Sequence, residues 1–401
     1  MKIINRQQYL ERLKDVEGSS DIKIITGIRR SGKSKLMEAF MDYLNQNKNS
    51  VNIIYIDFNN LMFETLKEYH KLNDYILEKY TKGKNNYLLI DEVQECPEFE
   101  KVVNSLHSQH IFDIYLTGSN ANLLSGDLVT LFTGRFIEIK VYPFSFSEFL
   151  QYYPNEDIDK GFEKYFLMGG MSGSYEYKQT KEQRMYLAGV YKTIIDKDII
   201  SHYKIRNEVL IKRLSNFLMN NVGNLVTAKK ISDTFNSNKM KTNHITIGNY
   251  IGYLCNPFVF YQADRYDIKG KQYLETLSKY YLADQGFRFA VLGTKNLDYG
   301  HVYENIVYIE LLRRGFEVSI GKMNTKEIDF VAKSNKNTIF IQVSDDISNE
   351  NTLQRELDPL FRLSGGHKKI LIARTKHEEY TINGIQVIDI ARWLSGDTSF
   401  I

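Results

Sequence analysis

The chain has 401 residues, with 52 Lys and Arg against 49 Asp and Glu and a formal net charge of +3; that length holds about two to four domains, and the mild positive charge permits a nucleic-acid partner without requiring one. A composition of 43% hydrophobic and 25% charged residues, with 28 Tyr and only 5 Pro, excludes a disordered or low-complexity chain. Cys96 and Cys255, far apart and without CxxC or Cys/His spacing, exclude a disulfide framework and a zinc site; no apolar run approaches the roughly twenty residues of a membrane span, Met1–Leu13 lacks the apolar centre of a signal peptide, and the cytoplasm is the expected location.

Ile22–Thr26 reads as a short strand, and Gly27-Ile-Arg-Arg-Ser-Gly-Lys-Ser34 then matches the full Walker A pattern G-x-x-x-x-G-K-S. In this pattern the loop from Gly27 through Arg29, Arg30, Ser31 and Gly32 turns its backbone N–H groups around nucleotide phosphates. Lys33 neutralises the β and γ oxygens, and the Ser34 hydroxyl holds Mg²⁺. Helical periodicity from Lys35 opens a helix whose N-terminus adds partial positive charge.

Val51–Asp57 reads as a second strand and Leu61–Tyr80 as a helical stretch. Tyr87–Ile90 is an apolar strand running into Asp91 and Glu92. Alternation of strands with helices predicts a parallel sheet. An apolar strand ending in Asp-Glu behind a Walker A is the Walker B arrangement, with Asp91 on the metal and Glu92 as base toward the attacking water. A helix near Phe99–Ser108 leads to a strand at Phe112–Leu116. The strand stops at Thr117-Gly-Ser-Asn120, before a capped helix entry at Ala121–Leu124. Ser119 or Asn120 is placed to position the hydrolytic water, and spacing does not choose between them. Thr133-Gly-Arg135 precedes a fifth strand, Phe136–Val141. Arg135 is either a solvated charge or a guanidinium presented across a subunit boundary to the transferring phosphoryl group.

The combination GIRRSGKS, YLLIDEVQ, LTGSNANLLS, TGR and PFSFSEF (Pro143–Phe149) resembles a bacterial and archaeal family of AAA+ ATPases. Its members carry a C-terminal domain of unknown function related to the restriction-endonuclease fold, and the resemblance spans nearly the whole chain. It implies a five-stranded sheet with the P-loop strand central, ATP and Mg²⁺ as cofactors, and a helical lid over about 146–200 that includes Phe166-Leu-Met-Gly-Gly170. Family members tend to carry Pro two residues after this Gly-Gly, where Ser172 stands here. Arg184 and Lys192 are candidates for a second sensor without spacing support.

Residues 201–285 show helical patterns at Glu208–Asn220, Ala228–Phe235 and Asn243–Cys255, with Thr227 and Thr242 in N-cap position. Phe258–Ala263 and Lys271–Leu277 read as a hairpin. Three helices and a hairpin suggest a winged helix. Eleven Lys and Arg against five Asp and Glu between 201 and 275 suit a groove-docking module. The third helix carries no Lys or Arg, so phosphate contacts from Lys229, Lys230, Lys239 and Lys241 are the expected form. Packing or assembly is the alternative use.

Farther on, Val302–Arg314 reads as an amphipathic helix, followed by strands at Phe316–Ile320, Glu327–Val331 and Thr338–Val343. This order is similar to the restriction-endonuclease-like core. In active forms an Asp on one strand and an acidic residue two before a Lys on the next converge on Mg²⁺. Asp329 fits the first position. Where Glu-x-Lys belongs the chain reads Gln342-Val-Ser344, which removes an anionic ligand and the cation beside the nucleophile. Glu304, Glu310, Asp345 and Asp346 are the nearby carboxylates able to substitute. Basic residues at His367–Lys369 and Arg374–Lys376 leave a nucleic-acid-facing role open.

The sequence therefore predicts an α/β protein of four parts: an AAA+ core at 1–145, a helical lid at 146–200, a winged-helix-like domain at 201–285 and a degenerate restriction-endonuclease-like domain at 286–401. The function it predicts is an ATPase that acts as a homo-oligomer, in AAA+ proteins usually a hexamer, and changes its assembly or its grip on DNA. The alternatives are a slow ATP-gated switch acting on a protein partner and an ATP-dependent nuclease.

Overall fold

The computed structural model describes residues 4, 6–120, 135–270, 272–294, 298–323, 326–335 and 337–396. The chain divides into two compact units, one of residues 2–141 with 256–258 and one of 142–255 with 259–401. Among the described residues no helix is long and apolar enough to cross a membrane.

In the first unit α1 (Gln7–Val16) precedes β1 (Ile22–Thr26), α2 (Lys33–Asn47), β2 (Val51–Asp57), α3 (Tyr69–Lys79), β3 (Asn85–Asp91), α4 (Phe99–Ser108), β4 (Asp113–Gly118) and β5 (Phe136–Lys140). The five strands form one parallel sheet in the order β2-β3-β4-β1-β5. The P-loop strand is interior, but β4 holds the middle, which corrects the expectation of a central P-loop strand. Period-two alternation sends Ile22 and Ile24 into an apolar layer with Leu72, Ile76, Val102 and Leu106 of α3 and α4, and Ile25 into one with Leu13, Leu36, Met37 and Phe40 of α1 and α2. Helices therefore cover both faces, and the strand C-termini share one edge. At the other end Lys23, fully buried, donates to Asp113 Oδ1 at 2.5 Å and to the Ser19 carbonyl at 2.7 Å.

The helical stretch expected at Leu61–Tyr80 is a 3₁₀ segment, Leu61–Lys67, followed by α3. Glu68 is extended and its carboxylate accepts from the N–H groups of His70 and Lys71, so it caps α3 and ends the turn before it. The helix expected at Ala121–Leu124, and Thr133 and Gly134, lie outside the described residues.

The second unit opens on a capping box, in which Ser145 Oγ accepts from Glu148 N at 3.1 Å and Glu148 Oε2 accepts from Ser145 N at 2.8 Å. This starts α5 (Phe146–Tyr152), followed by α6 (Ile158–Met168) and α7 (Thr180–Thr193), which runs on as a π-helical segment, Ile194–Ser201. After α6 the Gly-Gly pair turns against a buried carboxylate. A Cβ on Gly169 would lie 1.9 Å from Asp284 Oδ1 and one on Gly170 2.1 Å from the Phe144 carbonyl oxygen, so no larger residue fits either position.

Next come α8 (Glu208–Asn220), α9 (Ala228–Ser237) and α10 (His244–Cys255). Thr227 caps α9 through the Lys230 N–H. For α10 the cap is Asn243, which accepts from Thr246 N at 2.9 Å, and not Thr242, whose own N–H is taken by Asn236. The hairpin β6 (Phe260–Asp267) and β7 (Gln272–Leu282) follows, then α11 (Gln285–Leu292), α12 (Tyr299–Arg313), β8 (Glu317–Met323), β9 (Lys326–Lys333), β10 (Thr338–Ser344), α13 (Glu350–Phe361), β11 (Lys368–Ala373), β12 (Tyr380–Ile382), β13 (Ile385–Asp389) and α14 (Ile390–Ser395). The hairpin belongs to one eight-stranded mixed sheet, β12-β13-β11-β10-β9-β8-β6-β7, through parallel pairing of β6 with β8. A boundary at 285/286 thus has strands of this sheet on both sides.

Helix α12, expected to be amphipathic, is buried nearly all round, from Val302 through Glu304–Leu311 to Arg313. Its charged residues are paired: Arg313 donates to Glu310 and to the Pro143 carbonyl, and Arg314, the partly buried residue that ends the helix, donates to Glu310 and to the Trp393 carbonyl. Glu310 is therefore a structural anion.

Asp284 is 2% exposed and accepts from the N–H groups of Gly170 and Gly286. Burial pushes its carboxyl up to about 7, against the pull of those donors and of Arg313. A carboxyl that titrates near 7 folded and near 3.8 unfolded takes up a proton on folding between those values. Stability contributed here is therefore present at low pH and lost as pH rises from about 4 to about 7. Asp284→Asn should reduce that decline in a series of thermal melts across this range; an unchanged slope would assign it to other carboxyls.

Candidate nucleotide site

At the C-terminal edge of the five-stranded sheet the loop after β1 is shaped by two glycines. A Cβ on Gly27 would sit 2.1 Å from the Val141 carbonyl oxygen, where the chain leaving β5 donates Val141 N to the Thr26 carbonyl at 2.7 Å. Gly32 has φ 96° and stands at the N-cap of α2, a left-handed turn that favours glycine. The α2 N-terminus is thereby aimed along the loop. Arg6, buried and lying over the Tyr9 ring at 4.4 Å, donates to the Ser31 carbonyl at 2.7 Å and pins the crest of the loop from behind. Lys33 is 4% exposed; its ammonium donates to the carbonyls of Gly27 (3.0 Å) and Ile28 (3.3 Å) and lies 3.8 Å from Glu92 Oε1. Arg29 is half-buried, and its charge also acts on Glu92. Arg30 is exposed with φ 64°.

Strand β3 delivers the acidic pair. Asp91 is fully buried and hydrogen-bonded to the hydroxyls of Ser34 and Thr117. Burial raises its pKa against the pull of those two donors. Asp91 Oδ2 and Ser31 Oγ are buried with no hydrogen-bond partner. A carboxylate oxygen left open on the residue that meets the Ser34 hydroxyl, at the first turn after a phosphate loop, is a donor set that fits Mg²⁺ with a nucleotide. Asp91 and Ser34 are the residues that could hold such an ion.

Glu92 has φ 52° and turns the chain out of β3. Its N–H donates to Thr117 Oγ1 at 2.9 Å. Its carboxylate accepts from Ser119 Oγ at 3.1 Å and from the Gln94 amide. Burial pushes Glu92 up, but Lys33, Gln94, Arg29 and Ser119 together outweigh it and hold the carboxyl below its ordinary value. Of the two alternatives at the end of β4, Ser119 reaches Glu92; Asn120 is buried beside it. Thr117, Gln94 and Arg6 are functional neighbours that the motif reading missed. The first two stand within the motif stretches LTGSN and LLIDEVQ, but nothing in spacing alone marks them.

Arg135 is exposed, and its carbonyl accepts from Ile22 N at 2.9 Å. It therefore stands at the N-terminal end of β5, about 16 Å of parallel strand from the loop end of β1. The structure does not bring it to its own chain's loop.

In the second unit the nuclease-like positions converge around a lysine from elsewhere. Lys279 of β7 is 3% exposed and places its ammonium 2.8 Å from Glu327, 3.2 Å from Glu304 and 3.9 Å from Asp329. Tyr281 OH also donates to Glu304, at 3.1 Å. Burial raises both Glu304 and Asp329; Lys279 and Tyr281 pull Glu304 back down, whereas at Asp329 the charge of Glu304 adds to burial and outweighs the pull of Lys279. Gln342 links Asp329 N (3.0 Å) to Glu356 (3.1 Å), and Ser344 donates to the Asp346 carbonyl at 3.2 Å. Among the described residues no group of three or more His, Cys, Asp and Glu is arranged to hold a metal ion.

The family model described as "AAA domain" matches residues 19–150, and one described as a domain of unknown function (DUF8612) matches 159–298. An uncharacterized protein of Haemophilus influenzae is 40% identical over 399 residues, 98% of each chain. The chain belongs to that protein's family and carries an AAA domain. An uncharacterized protein of Methanocaldococcus jannaschii is 28% identical over 377 residues, 89% of this chain and 80% of its own. Among solved structures, Cdc6p from Pyrobaculum aerophilum matches with 11% identity and a TM-score of 0.32, covering 77% of this chain and 95% of that one. AMPPCP-bound DnaA from Aquifex aeolicus matches with 19% identity and a TM-score of 0.32, covering 63% and 88%. The matched AAA segment contains the phosphate loop, Asp91, Glu92 and Ser119.

Lys279 is the element on which the nuclease-like cluster turns. Lys279→Met should lower stability in denaturant unfolding by about 3–5 kcal/mol, the usual cost of removing one partner of a buried ion pair. A loss below about 1 kcal/mol would mean that the carboxyls do not depend on it.

Proposed function

We propose that the AAA domain hydrolyses ATP with Mg²⁺ and that the cycle changes the chain's assembly or its hold on DNA. The observation that carries this reading is the convergence of Lys33, Ser34, Asp91 and Glu92 on one edge of the sheet, with Asp91 Oδ2 open and Glu92 kept ionised. Mg²⁺, held by Ser34 and Asp91, supplies positive charge to the phosphate oxygens. Lys33 and the loop N–H groups bind and orient the triphosphate. Glu92 takes a proton from the attacking water while the water oxygen bonds to the γ-phosphorus. The bond from that phosphorus to the bridging oxygen breaks, and its electron pair leaves on ADP. Arg135, far from its own loop, acts on the nucleotide of a neighbouring copy, which makes turnover depend on oligomers and favours a ring, with six copies the usual AAA+ number.

DNA is the partner supported by the module α8–α10. Lys229, Lys230, Lys239 and Lys241 are all exposed around α9 and the turn before α10, as backbone-phosphate contacts require. The three helices α8–α10 support a winged-helix-like reading of this module, with its hairpin shared with the eight-stranded sheet. The restriction-endonuclease-like reading of the C-terminal strands is supported by Asp329 and Glu304 lying together. With Lys279 inside the cluster and Gln342 and Ser344 in place of Glu and Lys, that domain serves binding or assembly and not cleavage.

Steady-state ATP hydrolysis by wild type and Glu92→Gln, each at several protein concentrations with and without single- and double-stranded DNA, tests the reading. Wild-type turnover should rise with protein concentration and respond to DNA, and Glu92→Gln should be slower by roughly 10² or more. Turnover indifferent to DNA would move the partner to a protein, and near-zero turnover with nucleotide retained would make the chain an ATP-gated switch.

A further inference from the structure

Glu92 has two carboxylate oxygens with different surroundings. Oε2 accepts from the Gln94 amide and from the Ser119 hydroxyl, and these two donors lie 3.5 Å from each other. Oε1 faces Lys33, 3.8 Å away, the residue that meets the phosphates. The backbone builds this arrangement. Glu92 in the left-handed region caps a 3₁₀ turn, Val93–Glu95, closed by Glu95 N to the Glu92 carbonyl at 3.0 Å. Val93, fully buried, anchors the turn in the apolar layer under α3 and α4. The turn folds the Gln94 side chain back onto the carboxylate two residues before it, and Ser119 arrives from the end of β4. The opposite end of the amide, Oε1 of Gln94, is buried and without a hydrogen-bond partner.

We propose that Gln94 is a positioning residue for hydrolysis: with Ser119 it grips Oε2 of Glu92, fixes the rotation of the carboxylate, and leaves Oε1 as the oxygen that meets the attacking water. This rests on the reading of Glu92 as the base. An amide is the side chain that suits the position. It donates to a carboxylate without carrying charge, whereas a glutamate there would set two carboxylates against each other, and a methionine of equal length would leave Oε2 held by Ser119 alone. Because only the angle of the base is at stake, the effect falls on the chemical step and not on nucleotide capture; misorientation of a reacting group by about 1 Å costs up to 10²-fold in rate.

The test is a double-mutant cycle on ATP turnover with the full chain, using Gln94→Met, Gln94→Glu, Glu92→Gln and Gln94→Met/Glu92→Gln, with nucleotide affinity and melting temperature measured on each. Gln94→Met should lower kcat by about 10- to 100-fold, with ATP affinity within about three-fold of wild type. In the Glu92→Gln background the same change should have no further effect, because two residues acting as one unit are non-additive. Gln94→Glu should be slower than Gln94→Met. Full additivity of the two substitutions, or loss of ATP affinity in step with kcat, would overturn the positioning role in favour of a structural one. Unchanged kcat in both Gln94 variants with a slow Glu92→Gln would overturn it while sparing the base. Wild-type turnover in Glu92→Gln would overturn the base, and the role of Gln94 with it.

Discussion

Thr117 donates its one proton to Asp91 and accepts the Glu92 N–H on the same oxygen. That hydroxyl fastens the end of β3 to the end of β4 at the point where the parallel ladder between them has stopped. The rest of the site follows from it. Asp91 is turned so that Oδ1 is occupied and Oδ2 is open. Glu92 is turned into the left-handed region, and the 3₁₀ turn it starts returns Gln94 to its side. A valine at 117 would keep the shape but leave the buried Glu92 N–H unpaired and Asp91 held by Ser34 alone, and a buried donor is costly to leave unpaired.

The two units handle buried charge in different ways. In the AAA domain the acidic pair is partly unsatisfied: Asp91 has an open oxygen, and Glu92 holds its charge against burial because Lys33 and two neutral donors face it. In the second unit the carboxylates Glu304, Glu327 and Asp329 enclose Lys279, and Glu310 is shared between two arginines. Open, oriented charge is suited to a ligand that comes and goes. Closed charge specifies packing, and removing either partner leaves the other exposed to its full desolvation cost.

Much of the AAA domain was legible in the sequence, because each element there is reported by local chemistry. Apolar runs ending in Gly-x-x-x-x-Gly-Lys-Ser and Asp-Glu fix where β1 and β3 stop, and periodicity gives α4 residue for residue. The place of β1 beside the edge strand β5 was not legible, since strand order is set by crossovers that no short motif encodes. Nor were Thr117 and Gln94, whose roles depend on which oxygen of which carboxylate they meet. In the second unit local reading met its limit. The hairpin β6–β7 has the alternation of a wing, yet its partner is β8, about fifty residues farther on. Lys279 reaches the nuclease-like positions through that long-range pairing, so its sequence neighbours carry no sign of it. Helix α12 has charges at amphipathic spacing, but each has an internal partner, which periodicity cannot foresee.

Nucleotide capture by Lys33 and the Asp91 oxygen is the claim on which the account depends, and calorimetric titration of the full chain with ATP, with and without Mg²⁺, tests it most directly. Wild type should bind ATP, and more tightly with Mg²⁺, while Lys33→Ala should lose at least about ten-fold in affinity, as expected when a charge-assisted contact of roughly 1.5–3 kcal/mol is removed. Equal affinity of Lys33→Ala and wild type, with no dependence on Mg²⁺, would contradict the phosphate cradle and the metal-holding role of Asp91 together.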